Sequence, residues 1–160
     1  MQQIILAAVG RLKERYWREA LEEYAKRLSR FCRFSLVEVA DEPAPERLSP
    51  AQRDQVKRAE GARLIAALPE RAYVVALDLA GREMDSPGLA GKLETLALSG
   101  RDRVAFVIGG SWGLDRAVLD RADARWRLSA LTFPHQLCRV MVAEQVYRAY
   151  TILKGAPYHK

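Results

Sequence analysis

Residues 104–115 read VAFVIGGSWGLD. The first five are apolar without interruption, as in a parallel strand covered on both faces. The run then breaks into Gly109-Gly110-Ser111-Trp112-Gly113. A glycine-rich turn that closes a buried strand lets a ligand approach the backbone. The flanking chain alternates in the same way. Tyr73–Leu79 (YVVALDL) is a second, nearly continuous apolar strand, and further strands are expected at Gln3–Val9, Phe34–Val39 and Trp126–Ala130. Helical patterns lie between them. Trp17, Leu21, Tyr24 and Leu28 form one stripe of a helix expected over 14–30. Ser49-Pro50 and Ser86-Pro87 each read as an N-cap followed by a first-turn proline, opening helices to about Leu68 and Leu98. A short helix over 115–124 is capped by Asp115. The longest helix, 136–154, is stopped by Gly155 and Pro157. Strands separated by helices imply crossover connections, hence an α/β fold with a parallel sheet in a single domain over 1–160.

The composition narrows the function classes. No stretch reaches the ~18 apolar residues of a membrane span, and the N-terminus lacks the basic and small-residue features of a signal peptide. Cys32 and Cys138 are too few for a disulfide framework and read as reduced thiols of a cytoplasmic protein. No Cys/His cluster has metal-ligand spacing, so no metal is expected. The net charge is +6, with 16 basic and 15 acidic residues in 1–100 against 10 basic and 5 acidic in 101–160. A basic excess in the C-terminal third favours a polyanionic partner such as RNA.

The glycine turn fits none of the common nucleotide or hydrolase signatures. G-G-x-x-G is not the dinucleotide fingerprint, no Lys-Ser or Lys-Thr follows as in a P-loop, and there is no G-x-S-x-G elbow. A second strand end says more. Leu128 to Phe133 (LSALTF) is apolar except for Ser129 and Thr132, and Pro134 keeps Phe133 out of helical geometry. Such a segment leaves backbone N–H and C=O groups in need of partners. Adenine is one candidate, flat and apolar on its faces with donors and acceptors on its edge; a loop that merely packs is the other. No Lys or Arg is present for a phosphate.

The segments FVIGGSWGL, WRLSALTFPHQLCRVMVAEQVYRAYTI and the terminal APYHK resemble the RlmH family, bacterial enzymes that methylate N3 of a pseudouridine in large-subunit (23S) ribosomal RNA. The resemblance runs from Val9-Gly10 to the C-terminus. It implies the SPOUT class of methyltransferases: a parallel-sheet α/β fold with a C-terminal trefoil knot, S-adenosyl-L-methionine as methyl donor, and a homodimer acting on the ribosome. It also implies that the donor is held by Leu77, by Gly109 with Gly110, and by Leu128, Ser129, Ala130, Leu131, Thr132 and Phe133. A SPOUT enzyme acting on another RNA, such as tRNA, and a non-catalytic RNA-binding module are the competing readings.

Catalytic candidates come from the last helix and the tail. Glu144 and Arg148 are four apart and share a helix face with Thr151, opposite the stripe Cys138, Val142, Val146, Ala149 and Leu153. As a surface ion pair they would contribute ~0.3–0.5 kcal/mol; the family keeps an acid and an arginine there, which implies that Glu144 orients Arg148 towards RNA or donor. Tyr158 and His159 match a family Tyr-His that reaches the active site, with His159 as proton acceptor. The family's following arginine is Lys160 here, which keeps the charge and loses the guanidinium fork. His135 reads as structural. Twelve of the 19 residues from 136 to 154 are apolar, a surplus that predicts a second copy as partner. Arg11, Lys13 and Arg15 follow the first strand on the ligand side, either contacting phosphates or forming a solvated basic loop.

Overall fold

A computed structural model describes all residues, 1–160. Five strands form one parallel sheet: β1 (Gln3–Val9), β2 (Arg33–Val39), β3 (Tyr73–Glu83), β4 (Arg103–Ile108) and β5 (Ala124–Arg127), in the order β2-β1-β4-β3-β5. The helices are α1 (Arg15–Leu28), α2 (Pro50–Ala67), α3 (Ser86–Leu98), α4 (Arg116–Arg121) and α5 (His135–Leu153). α1, α3 and α5 pack together on one face, and α2 packs with α4 on the other. The inner strands serve both. Ile4, Leu6, Ala8, Val104, Phe106 and Ile108 enter the first core, while Ile5, Ala7, Val9, Ala105 and Val107 enter the second. Successive strand residues point to opposite faces, so a strand covered on both sides must be apolar at every position.

The helix starts follow local chemistry. Ser49 caps α2 with a full capping box: its hydroxyl accepts from the Gln52 N–H and the Gln52 side chain accepts from the Ser49 N–H. At α3 the cap is Asp85, not Ser86. The Asp85 carboxylate accepts from Gly88 N at 2.7 Å, and Ser86, already helical, donates instead to the side chain of Gln145 on α5. The expected strand over 126–130 also shifts: β5 ends at Arg127, and 128–134 is loop.

β3 is irregular. Trp126 of β5 pairs with Leu77 and again with Arg82, so residues 78–81 loop out between the two pairings. Gly81 lies directly on β5: a Cβ there would stand 2.7 Å from the Arg125 carbonyl carbon. Neither backbone can yield, so Gly81→Ala is expected to cost about 1–3 kcal/mol of stability, measurable by urea unfolding.

α5 runs back along the sheet, from the C-terminal ends of the strands to their N-terminal edge, where the Tyr150 hydroxyl donates to Gln2 Oε1 at 2.7 Å. One residue fixes it near its start. Arg139 has 0% of its surface exposed and donates to the Val9 and Gly10 carbonyls (2.6 and 3.0 Å) and to Glu38 Oε2 (2.9 Å). It ties the first half of α5 to the C-terminal end of β1.

Candidate methyl-donor cleft and tail cluster

The three segments singled out in the sequence converge on one cleft of about 520 Å³, a volume ordinary for a small-molecule site. Leu77 lines it from β3, Gly109 and Gly110 from the end of β4, and Leu128, Ser129, Leu131, Thr132 and Phe133 from the loop after β5. Ala130 of that loop is exposed and is not part of the lining. The glycine turn is folded on itself. Gly113 N donates to Gly110 O at 3.1 Å, Gly113 sits at φ +86°, and a Cβ on Gly109 would lie 2.6 Å from the Gly113 carbonyl carbon. Gly109 is therefore needed for the turn to close, which is a different reason from letting a ligand approach the backbone. Gly109→Ala is expected to weaken binding of S-adenosyl-L-methionine at least about tenfold by displacing the whole turn; calorimetry would measure it.

The residues fit a nucleoside. None of the backbone–backbone hydrogen bonds made outside helices and strands involves residues 128–133. Leu131 N reaches only the Ser129 hydroxyl, and Pro134, at the N-cap position of α5, offers no side-chain cap, so the amides of its first turn are also free. Leu79 and Leu131 stand exposed at the rim. Unpaired amides and carbonyls, apolar walls and the absence of Lys and Arg from the 128–133 loop suit an adenine ring rather than a phosphate.

His135, the first residue of α5, lines the same cleft. Burial, with Arg139 nearby, lowers its pKa from the usual 6.5, which favours the neutral imidazole. A folded-state value below the unfolded one contributes stability that is present above pH 6.5 and lost as the pH falls through the folded value. Wild type should therefore lose more stability than His135→Gln between about pH 7.5 and 5.5, as read by denaturant titrations at both values.

The second group of candidates also comes together, but elsewhere. Glu144 Oε1 accepts from Arg148 Nε (2.9 Å), Arg148 Nη2 (2.5 Å) and the Tyr158 hydroxyl (3.1 Å), and Glu144 Oε2 accepts from Gln145 Nε2 (2.7 Å). Arg148 Nη1 contacts His159 Nδ1 at 3.3 Å. The pair is half-buried rather than an exposed surface bridge. The bond to Glu144 raises the Arg148 pKa. Burial, then the bond to Glu144, pushes the Tyr158 hydroxyl up to about 12, so it stays a donor. Arginine only donates, so His159 Nδ1 is the acceptor, and a neutral ring then carries its proton on Nε2. In this arrangement His159 has no free lone pair; taking up a proton requires release from Arg148. Thr151, expected on the polar face, is instead 1% exposed, because the tail folds back over it and Ala156 N donates to its carbonyl. Gln145 is a contributor that the pattern alone did not single out: its amide bridges Ser86 and Glu144.

This cluster lies at the far end of α5 from the cleft. Cys138, which lines the cleft, and Arg148 are separated by ten residues of helix, about 15 Å along its axis. The tail packs near the end of α1, with Tyr158 against Tyr147 (ring centroids 4.8 Å apart) and Phe31 close by. Between cleft and cluster, Leu137, Val140 and Met141 form a stripe on α5 that is only partly covered.

Comparison with known proteins gives the family. The family model described as "Predicted SPOUT methyltransferase" matches residues 2–159. The chain is similar to "Ribosomal RNA large subunit methyltransferase H" of Ruminiclostridium cellulolyticum, 52% identical over 98% of this chain and 99% of the relative. It is 50% identical to the proteins of that name from Desulfitobacterium hafniense, over 100% of both chains, and from Levilactobacillus brevis, over 98% and 99%. Two solved structures share the fold at low identity. One is a probable methylase family protein from Haemophilus influenzae (TM-score 0.52, 12% identity, 99% of this chain and 70% of that one). The other was determined in work on 2-OH methylation of C/U34 on tRNA (TM-score 0.52, 18% identity, 94% and 92%). A parallel α/β chain matched by this family model over residues 2–159, and by these relatives over 98–100% of its length, belongs to the SPOUT methyltransferase family.

Proposed function

We propose that this protein methylates N3 of a pseudouridine in large-subunit (23S) ribosomal RNA on the assembled ribosome, acting as a cytoplasmic homodimer with S-adenosyl-L-methionine as methyl donor. The observation that carries the donor assignment is the loop 128–133, which makes no backbone–backbone hydrogen bond outside helices and strands, has only Leu131 N and Phe133 O bonded to side chains, and lines a cleft of about 520 Å³. The relatives of the same name, about half identical over the whole chain, support the substrate. Membership of the SPOUT family supports a trefoil knot in the C-terminal part of the chain.

S-adenosyl-L-methionine supplies a methyl group already activated on sulfur, so the protein's work is alignment, worth up to about 7–11 kcal/mol of barrier, and removal of one proton. The proton that would have to leave is the imide proton on N3 of the acceptor, and it would go to a base of the protein. Leu77, Gly109, Gly110 and the 128–133 loop hold the donor. Arg148, oriented by Glu144, stabilises the negative charge that develops on the imide. His159, freed from Arg148, accepts the proton, and Tyr158 positions Glu144. A chain's own tail lies about 15 Å from its own cleft along α5, so the reading requires the tail of a second copy. The partly covered stripe Leu137, Val140 and Met141 supplies the surface on which a two-fold pair of α5 helices would meet.

The test is transfer of labelled methyl to ribosomes from a strain lacking the enzyme, with the modified nucleoside identified by mass spectrometry. N3-methylpseudouridine in 23S RNA is expected. Label in tRNA instead, or none in any RNA, would contradict the proposal.

A further inference from the structure

A second groove, of about 700 Å³, opens beside the methyl-donor cleft, and the two share Gly110, Ser111, Trp112 and His135 as a common wall. Its position follows from the topology. β1 leads into α1 on one face of the sheet, while its neighbour β4 leads into α4 on the other. Loops that leave adjacent strands for opposite faces diverge, and the crevice between them is where open α/β sheets bind ligands. The donor cleft uses the equivalent divergence between β4 and β3, so the fold offers two crevices divided by one glycine turn.

The lining of the second groove differs from that of the first. Arg11 and Lys13 stand at its mouth, exposed and without an ion-pair partner. Trp112 is 40% exposed, with the Arg53 guanidinium over its ring at 4.4 Å. The floor is Glu60, only 5% exposed. Its Oε2 accepts from Glu42 N at 3.1 Å, and its Oε1 is buried with no hydrogen-bond partner. A Cβ on Gly110 would stand 2.9 Å from that oxygen, so the carboxyl lies directly beneath the turn. Burial pushes the Glu60 pKa up. An unsatisfied buried acceptor is costly, and its retention calls for an explanation. A group with N–H donors entering from above would supply the missing partner after a small shift of the turn.

We propose that this groove seats the acceptor nucleotide: its base lies along Trp112 with an N–H edge towards Glu60, and its phosphate rests on Arg11 and Lys13. The chemistry matches part by part. A base has a flat face for an indole, pseudouridine has a second ring N–H, at N1, to donate to a carboxyl while N3 stays free to react, and the phosphate needs cations. The shared wall places the occupant next to the methyl donor. The proposal rests on the donor cleft being where we place it, and it extends the functional reading by giving the RNA nucleotide its own pocket.

The chain has three tryptophans, so its indole N–H signals form a small, assignable set. Trp112 reports the groove, Trp126 the donor cleft, and Trp17 on α1 neither. In the full-length protein saturated with S-adenosylhomocysteine, pseudouridine 5′-monophosphate is expected to shift the Trp112 signal and leave Trp17 unmoved. On ribosomes from the deficient strain, Glu60→Gln and Arg11→Ala should each lower kcat/KM about tenfold, with donor affinity by calorimetry within about twofold of wild type. A Trp112 signal that stays fixed, or both variants methylating at the wild-type kcat/KM, overturns the proposal. A Trp112 shift together with ribosomes left unmodified by the wild-type protein would keep the groove as a nucleotide site and remove only the ribosomal substrate.

Discussion

Replacing Arg139 with Met is expected to destabilise the protein by about 3–5 kcal/mol, mostly the cost of leaving two carbonyls at the end of β1 without their donor, with a smaller part from Glu38, which is exposed. The substitution keeps the aliphatic stem and deletes the guanidinium. It strands the Val9 and Gly10 carbonyls at the end of β1 and leaves Glu38 with only the Leu12 N–H to satisfy it. For a chain of this size each kcal/mol shifts the midpoint by about 2–4 °C, so a fall of about 6–20 °C should be seen. Part of that loss comes from an unpaired carboxylate, so Arg139→Met with Glu38→Gln should recover some of it. A loss below about 1 kcal/mol would mean that the sheet end does not depend on this anchor.

The second large effect concerns the tail. Arg148→Ala should lower kcat by about 10²-fold or more, the magnitude typical of losing a preorganised charge at a developing anion. Donor affinity should hold, since the donor is held by Leu77, the glycine turn and the 128–133 loop and not by Arg148. Gly109→Ala fails for the opposite reason, a distorted cleft with an intact tail. Mixed dimers of the two inactive variants separate the models. If each site joins one chain's cleft to the other's tail, every mixed dimer holds one intact pair and regains about half of the wild-type turnover. If cleft and tail of the same chain act together, mixing restores nothing.

These outcomes bear on how much of the molecule the sequence makes legible. The strand and helix order is readable because the inner strands are apolar at consecutive positions and α1 keeps its stripe of Trp17, Leu21, Tyr24 and Leu28. Boundaries are less so. β5 stops at Arg127 rather than Ala130 because 128–133, though apolar, has no neighbouring strand to pair with. Asp85 outcompetes Ser86 as cap because it stands one residue earlier, in extended backbone. The donor cleft is legible because its parts are contiguous runs that end strands. Arg139 and Glu60 are harder, since their partners are 101 and 18 residues away. Each nonetheless leaves a trace: a charge on an otherwise buried helix face, Arg139 beside Val142, Ala143 and Val146, and Glu60 between Val56 and Leu64. A charged residue in the apolar stripe of a helix marks a long-range partner. The tail's distance from its own cleft follows from the length and direction of α5 in three dimensions and leaves no local mark.

The most direct test of the account is a crystal structure of the protein with S-adenosyl-L-methionine. It predicts the adenine edge hydrogen-bonded to backbone amides and carbonyls of residues 128–133, with the methionine portion against the turn at Gly109–Gly113. Adenosine bound anywhere else, or the 128–133 backbone still unpartnered with the donor bound, would contradict it.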